Sequence, residues 1–249
     1  MRIAVAGGTG LVGRMVVAEA EARGHEPVVL ARSRGIDITT GTGLDAALAG
    51  ADALIDVSNV TTVRRAVSVE FFGRATRNLL WAGELAGVRH HLALSIVGIE
   101  RVDYGYYEGK REQERLIHEG RVPWTVLRST QFHEFAELVL SQVPGPLAIV
   151  PRQRIKPVAA REVAAKLVAL IAEEPRGKVL ELGGPEERDL PDLARRIVHA
   201  RGESRKVLGV PLPGAVGSAM ASGELLPGPS AFVGTQTFDQ WLLEKFGRL

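Results

Sequence analysis

The chain has 249 residues, 45% hydrophobic and 24% charged, which suits one α/β domain, or one domain with a modest annex. It has no cysteine, which excludes disulfides, thiolate chemistry, Cys-ligated zinc and iron–sulfur clusters. No apolar run reaches the roughly 18 residues a membrane helix needs. The 31 basic and 29 acidic groups leave a formal charge of +2, and pairs such as Arg64-Arg65 and Arg195-Arg196 lie among acids, so solvated helix faces are expected rather than a nucleic-acid surface.

The chain opens on strand-like Arg2-Ile3-Ala4-Val5-Ala6 rather than on a longer apolar region with a cleavage site, and a cytoplasmic location is expected. Ile3–Ala6 is the first predicted strand and Leu11–Arg23 the first helix, ended by Gly24. Pro27–Ala31 is a second strand, Ile36–Thr39 a candidate short third one, and Gly43–Ala49 a short helix. Ala53–Val57 (strand), Val69–Ala86 (helix), His91–Val97 (strand), Gly105–Glu119 (helix) and Trp124–Leu127 (strand) continue the alternation. Short apolar strands separated by helices predict a doubly wound parallel sheet of the Rossmann type.

The second half reads differently. Phe132–Gln142, Ala160–Glu173, Leu190–Ala200 and Thr237–Phe246 are predicted helices; Leu147–Val150 and Val179–Leu182 are predicted strands. Leu212–Pro229 is rich in Pro, Gly and Ser. The expected organisation is a single domain over residues 1–249, in which residues 131–249 form a smaller substrate-binding region at the sheet ends. Trp81, Trp124 and Trp241 are expected to fill core.

The strongest motif is Gly7-Gly8-Thr9-Gly10-Leu11-Val12-Gly13, between the first strand and the first helix. Gly7 permits the turn, Gly10 lets the backbone approach a pyrophosphate, and Gly13 lets the helix pack close to the sheet. The helix start then offers free N–H groups and a positive dipole end, as a dinucleotide requires. The bland alternative is an ordinary glycine turn. The second strand ends Leu30-Ala31-Arg32-Ser33-Arg34, with no acid before Asp37. A guanidinium suits the 2′-phosphate of NADP, so NADP(H) is preferred over NAD(H), with Arg32 and Ser33 at the phosphate. Exposed turn residues are the other reading of Arg32 and Arg34. Asp37 is a candidate acceptor for the adenine amino group or a solvent-exposed turn acid; Ser58 and Asn59 stand where a strand end borders the cofactor.

Together with Leu94-Ser95-Ile96-Val97-Gly98, Tyr106-Tyr107-Glu108-Gly109-Lys110, Trp124–Phe132, Lys156–Ala164 and Thr237–Leu242, the glycine loop resembles the atypical, NmrA-like branch of the short-chain dehydrogenase/reductases over nearly the whole chain. That resemblance implies a Rossmann domain with a small C-terminal substrate-binding part. It leaves open an NAD(P)H-dependent reductase or a redox-sensing regulator without catalysis.

Tyr106 and Lys110 have the Y-x-x-x-K spacing that places two side chains on one helix face. A tyrosine can donate a proton to a carbonyl as hydride arrives, and a neighbouring ammonium would lower its pKa. The resemblance implies that Lys110 also holds the nicotinamide ribose. Tyr107 is the runner-up acid. Ser95 is the candidate group polarising the substrate carbonyl, 11 residues before Tyr106. The alternative is that Tyr106 and Lys110 are surface residues of a charged helix. Gln131, Phe132 and His133 are candidate substrate-pocket residues, His133 also a candidate structural histidine. His90-His91 lacks partners at metal-ligand spacing, and no metal is expected.

The reading is an NADP(H)-dependent oxidoreductase acting on a small carbonyl, quinone or similar acceptor; the alternative is a non-catalytic NAD(P) sensor. An epimerase or dehydratase is a third, weaker option. A small-molecule substrate is expected, and neither nucleic acid nor membrane.

Overall fold

A computed structural model describes residues 1–248. Its strands include a seven-stranded parallel sheet built from β1 (Arg2–Ala6), β2 (Glu26–Leu30), β3 (Ala53–Asp56), β4 (His90–Ile96), β5 (Trp124–Ser129), β8 (Val179–Gly183) and β11 (Phe232–Val233). The order is β11-β8-β5-β4-β3-β1-β2. β1 pairs with β2 in the register Val5↔Val29 and with β3 in the register Val5↔Ile55, so the winding reverses between β1 and β3. In such sheets the crevice at the carboxyl ends of the reversing strands is where ligands bind. β1 and β3 are almost wholly buried, which is why they read as continuous apolar runs.

The chain forms two compact units. The first comprises Met1–Ile96, Tyr104–Arg128 and Arg161–Leu180. There α1 (Leu11–Ala22), α2 (Leu44–Leu48), α3 (Arg65–Ala86), α4 (Gly105–Glu119) and most of α6 (Ala160–Ile171) accompany the strands. Leu30, Leu44, Leu48, Leu54, Leu79 and Val88 form one core cluster; Ala93, Ile117 and Val126 form another, beneath α4. The second unit comprises Val97–Asp103, Ser129–Ala160 and Glu181–Leu249. It holds α5 (Phe135–Gln142), β6 (Leu147–Pro151), β7 (Arg154–Ile155), β9 (Arg188–Asp189), α7 (Leu190–Ala200), β10 (Lys206–Val210), α8 (Gly214–Ser222) and α9 (Phe238–Phe246). Its core gathers Leu140, Val150, Ile155, Leu193, Ile197, Phe238 and Trp241. Thr237 and Gln240 close a capping box at the start of α9.

Three expectations need correction, and one helix was not foreseen. Ile36–Thr39 forms no strand, because the Asp37 carboxylate accepts from both the amide and the hydroxyl of Thr39 and folds the segment back, with Gly41 N donating to Asp37 O. Phe132 lies in an isolated bridge with Val158, and the helix begins only at Phe135. Inside the Gly- and Ser-rich stretch a helix forms at Gly214–Ser222, and Gly217 packs where an added Cβ would lie 2.0 Å from Leu212 O. Trp81 is 67% exposed on the outer face of α3 rather than core.

Candidate functional site

The glycine loop leaves the buried end of β1. Gly7 has φ +78°, and a Cβ there would lie 2.7 Å from Val57 O and 2.8 Å from Ser58 N, so only glycine lets the loop lie against the exit of β3. A Cβ on Gly13 would lie 2.1 Å from Gly7 O, so this residue sets how closely α1 approaches the loop. Gly10 differs: its N–H donates to Gly7 O at 2.9 Å, and an added Cβ would meet only that oxygen, at 3.3 Å. Thr9, Gly10 and Leu11 are exposed, while Val12 and Gly13 are buried. No side chain caps α1 and no acid stands in its first turn. The first N–H groups of the helix therefore face outward without a protein acceptor, an anion-binding arrangement. Behind the loop, Ser58 Oγ is buried with no hydrogen-bond partner. A cradle free of Cβ atoms, an uncapped helix start and an orphaned hydroxyl fit the pyrophosphate and ribose of a dinucleotide.

At the exit of β2, Arg32–Arg34 form one exposed 3-10 turn, closed by Gly35 in the left-handed region. Among the described residues, the side chains of Arg32 and Arg34 make no hydrogen bond or ion pair. Hydrogen bonds from the Thr39 hydroxyl and amide hold the Asp37 carboxyl below the usual carboxylate range, and the Arg32 charge adds a little. Both Thr39 bonds fall on the same oxygen, Asp37 Oδ1.

α4 carries the candidate acid. The Tyr106 hydroxyl donates to Asn59 Oδ1 at 2.6 Å, three residues past the end of β3. Its carbonyl accepts from Ser68 Oγ at 2.8 Å. A Cβ on Gly109 would lie 2.2 Å from that same Ser68 Oγ, so α3 and α4 approach closely here. Burial pushes the Tyr106 phenol well above its ordinary value. Tyr107 points inward against Tyr104, with ring centroids 5.2 Å apart, and burial raises its phenol too.

Lys110 is 3% exposed. Its ammonium donates to Leu94 O at 2.6 Å and to Gln113 Oε1, and lies 4.6 Å from the Phe72 ring centroid. Tyr106 and Lys110 therefore share a helix but not a hydrogen bond. Burial pulls the Lys110 ammonium down to about 8, against the opposing charges of Asp56 and Glu114. Ser95, next along β4 from the carbonyl that Lys110 holds, is buried and its Oγ has no partner.

Gln113 escaped the sequence reading. It is fully buried, and its Nε2 donates to Asp56 Oδ2 at 2.8 Å. Asp56 Oδ1 in turn accepts from Ser58 N at 2.9 Å, turning the chain out of β3. The signal was present as a stripe: Tyr107, Lys110, Gln113 and Ile117 are the buried side chains of α4, spaced three or four apart, but three of the four are polar or amphipathic.

Gln131, Phe132 and His133 lie in the second unit, on the segment paired with Val158. Gln131 O accepts from Val158 N at 2.9 Å, and Gln131 Oε1 is buried without a partner. His133 is fully buried, with Nε2 3.2 Å from Gln236 O and its ring against Phe238 and Trp241. His90 Nε2 is 2.9 Å from Thr125 Oγ1. His91 is fully buried with both ring nitrogens unpaired, and burial pulls it down to about 4. No cluster of His, Cys, Asp or Glu among the described residues could hold a metal, and no described helix is long and apolar enough to cross a membrane.

Three comparisons bear on this arrangement. A family profile described as NAD(P)H-binding matches residues 7–174. The (4-alkanoyl-5-oxo-2,5-dihydrofuran-3-yl)methyl phosphate reductase of Streptomyces griseus subsp. griseus is 29% identical over 205 residues, covering 74% of this chain and 68% of that protein. An NADPH-dependent quinone oxidoreductase of Escherichia coli, complexed with NADPH, superposes with a TM-score of 0.73 at 20% identity, over 98% of this chain and 99% of that one. The triphenylmethane reductase of Citrobacter sp., complexed with NADP(H), gives a TM-score of 0.74 at 17% identity, over 99% of this chain and 100% of that one. At such identities the structural likenesses speak for the fold.

Proposed function

The chain belongs to the NAD(P)H-binding family, and on that footing we propose that it is an NADP(H)-preferring reductase of a small electrophilic acceptor: a carbonyl, a quinone, or an alkene conjugated to a carbonyl. The observation that carries the reading is the Tyr106 hydroxyl held on Asn59, in the same unit as the uncapped glycine loop. Ser95 and Lys110, joined through β4, supply further polar groups at the strand ends.

When bound, the reduced nicotinamide supplies hydride to the acceptor carbon. Tyr106, whose proton is retained across the neutral range, would turn that proton from Asn59 Oδ1 to the oxygen on which charge develops. Ser95, whose Oγ has no protein partner, is proposed as a second donor. Lys110 has three N–H donors and uses two on the protein, which leaves one for a ribose hydroxyl. We assign Arg32, whose side chain makes no hydrogen bond or ion pair among the described residues, to a 2′-phosphate. The relative from Streptomyces supports the conjugated alkene, and the quinone oxidoreductase supports the quinone.

One observation favours a second reading, a dinucleotide sensor without turnover. Lys110 does not touch the Tyr106 hydroxyl, so nothing in the unit lowers that phenol toward neutrality. NADPH oxidation followed at 340 nm with quinones, azo dyes, aldehydes and conjugated enones separates the two. Turnover that falls about 100-fold in Tyr106→Phe supports the reductase. Tight NADPH binding with no turnover on any of these acceptors supports the sensor, and full turnover in Tyr106→Phe removes Tyr106 as the acid.

A further inference from the structure

We propose that Gln113 is a positioning residue: its side-chain amide joins Asp56 at the exit of β3 to Lys110, and thereby to Leu94 beside Ser95 on β4, so one uncharged group sets the geometry of both strand ends. Its connection to cofactor binding rests on the reading of Lys110 as a cofactor-holding group.

Asp56 Oδ1 accepts from Ser58 N at 2.9 Å, and Asp56 Oδ2 accepts from Gln113 Nε2 at 2.8 Å. Gln113 Oε1 accepts from the Lys110 ammonium, which also donates to Leu94 O at 2.6 Å. The partners fix which end of the amide is which, since a carboxylate only accepts and an ammonium only donates. Asp56, Gln113 and Lys110 are all buried, so each unmet group would carry a full desolvation cost.

An uncharged residue matters at this place. The neighbouring acids of α4 are committed elsewhere: Glu114 takes the Arg128 guanidinium at 3.0 and 2.7 Å, and Glu112 takes Arg77 and Arg115. Without Gln113, Lys110 would be drawn onto Asp56 as a direct buried pair, away from Leu94, and Asp56 would be drawn off Ser58 N. The amide separates the two charges while bonding both. The titratable groups around it are Asp56, Lys110, Glu114, and His91, which senses the charge of Asp56.

The test uses the full chain with Gln113→Leu and Gln113→Glu. In Gln113→Glu the new carboxylate keeps the Lys110 contact but faces the Asp56 carboxylate, which favours a shared proton between the two. That raises a folded-state carboxyl pKa, and the resulting stability is present at low pH and lost as pH rises. The expected results are urea stability that falls from pH 5.5 to 7.5 relative to wild type, and an NADP⁺ dissociation constant that worsens at least tenfold relative to wild type across that window. Gln113→Leu should weaken NADP⁺ about tenfold at every pH. A pH profile of stability in Gln113→Glu that matches wild type overturns the assigned position of Gln113, whatever the cofactor does. Unchanged NADP⁺ binding in both variants overturns its role at the site. Failure of the wild type to bind NADP⁺ overturns the cofactor reading alone, because the stability profile still decides the Gln113 linkage.

Discussion

Replacing Gly10 with aspartate should separate folding from binding. Gly10 is the N-cap of α1, with extended backbone at φ −75°, ψ −179°, and a Cβ there meets only Gly7 O at 3.3 Å. Aspartate is a preferred N-cap, and its charge favours the positive end of the helix, so the substitution should cost nothing or add a few tenths to about 1 kcal/mol. For a chain of this length that is a melting temperature unchanged or raised by roughly 2–4 °C. The same carboxylate would stand about 6 Å from a pyrophosphate on the first N–H groups. At an effective dielectric of about 20 the repulsion is roughly 2.8 kcal/mol per phosphate charge, or about a hundredfold in affinity for each. Calorimetric titration with NADPH, beside a thermal melt without ligand, reads both quantities. A folded Gly10→Asp protein binding NADPH within threefold of wild type would refute the placement of the phosphates.

Two further outcomes follow from the same geometry. Arg32→Ala should weaken NADPH at least tenfold, a charge-assisted pair being worth about 1.5–3 kcal/mol, and leave NADH within twofold; equal effects in the two titrations would dismiss the 2′-phosphate role. His91 is held neutral by burial, at about 4 when folded against an ordinary 6.5. The unfolded chain therefore takes up the proton first as pH falls, and stability is lost between pH 6.5 and 4, on the order of 3 kcal/mol from this group. Urea unfolding of His91→Leu should show that much less loss over the window; an identical slope to wild type would contradict it.

Much of the first unit could be read in advance, for a physical reason. β1 and β3 are buried on both faces and so are written as unbroken apolar runs, and Gly24 and Gly87 mark the ends of α1 and α3. The glycine loop was legible because Gly7 and Gly13 answer to backbone contacts that admit no Cβ. What stayed hidden depends on which polar groups go inside. Asp37 closes a turn on Thr39 where the sequence suggested a strand, because its carboxylate competes with a ladder for the backbone. Nothing in the spacing of Tyr106 and Lys110 tells that one hydroxyl goes to Asn59 and the other head group to Leu94. Gln113 sits in a charged helix and looks like its charged neighbours until the fold buries it against Asp56. The short strands β7, β9 and β11 carry two residues each, too few to show a period.

In the proposed complex Gly7–Gly13 holds the pyrophosphate of a dinucleotide whose nicotinamide end meets Ser95, Tyr106 and Lys110. A crystal structure of the protein with NADP⁺ tests it most directly. The expected result is phosphate oxygens within hydrogen-bond distance of the first N–H groups of α1, the Arg32 guanidinium on the 2′-phosphate, and the Lys110 ammonium on a ribose hydroxyl of the nicotinamide half. A pyrophosphate seated away from the start of α1, or a nicotinamide ribose with no contact to Lys110, would contradict it.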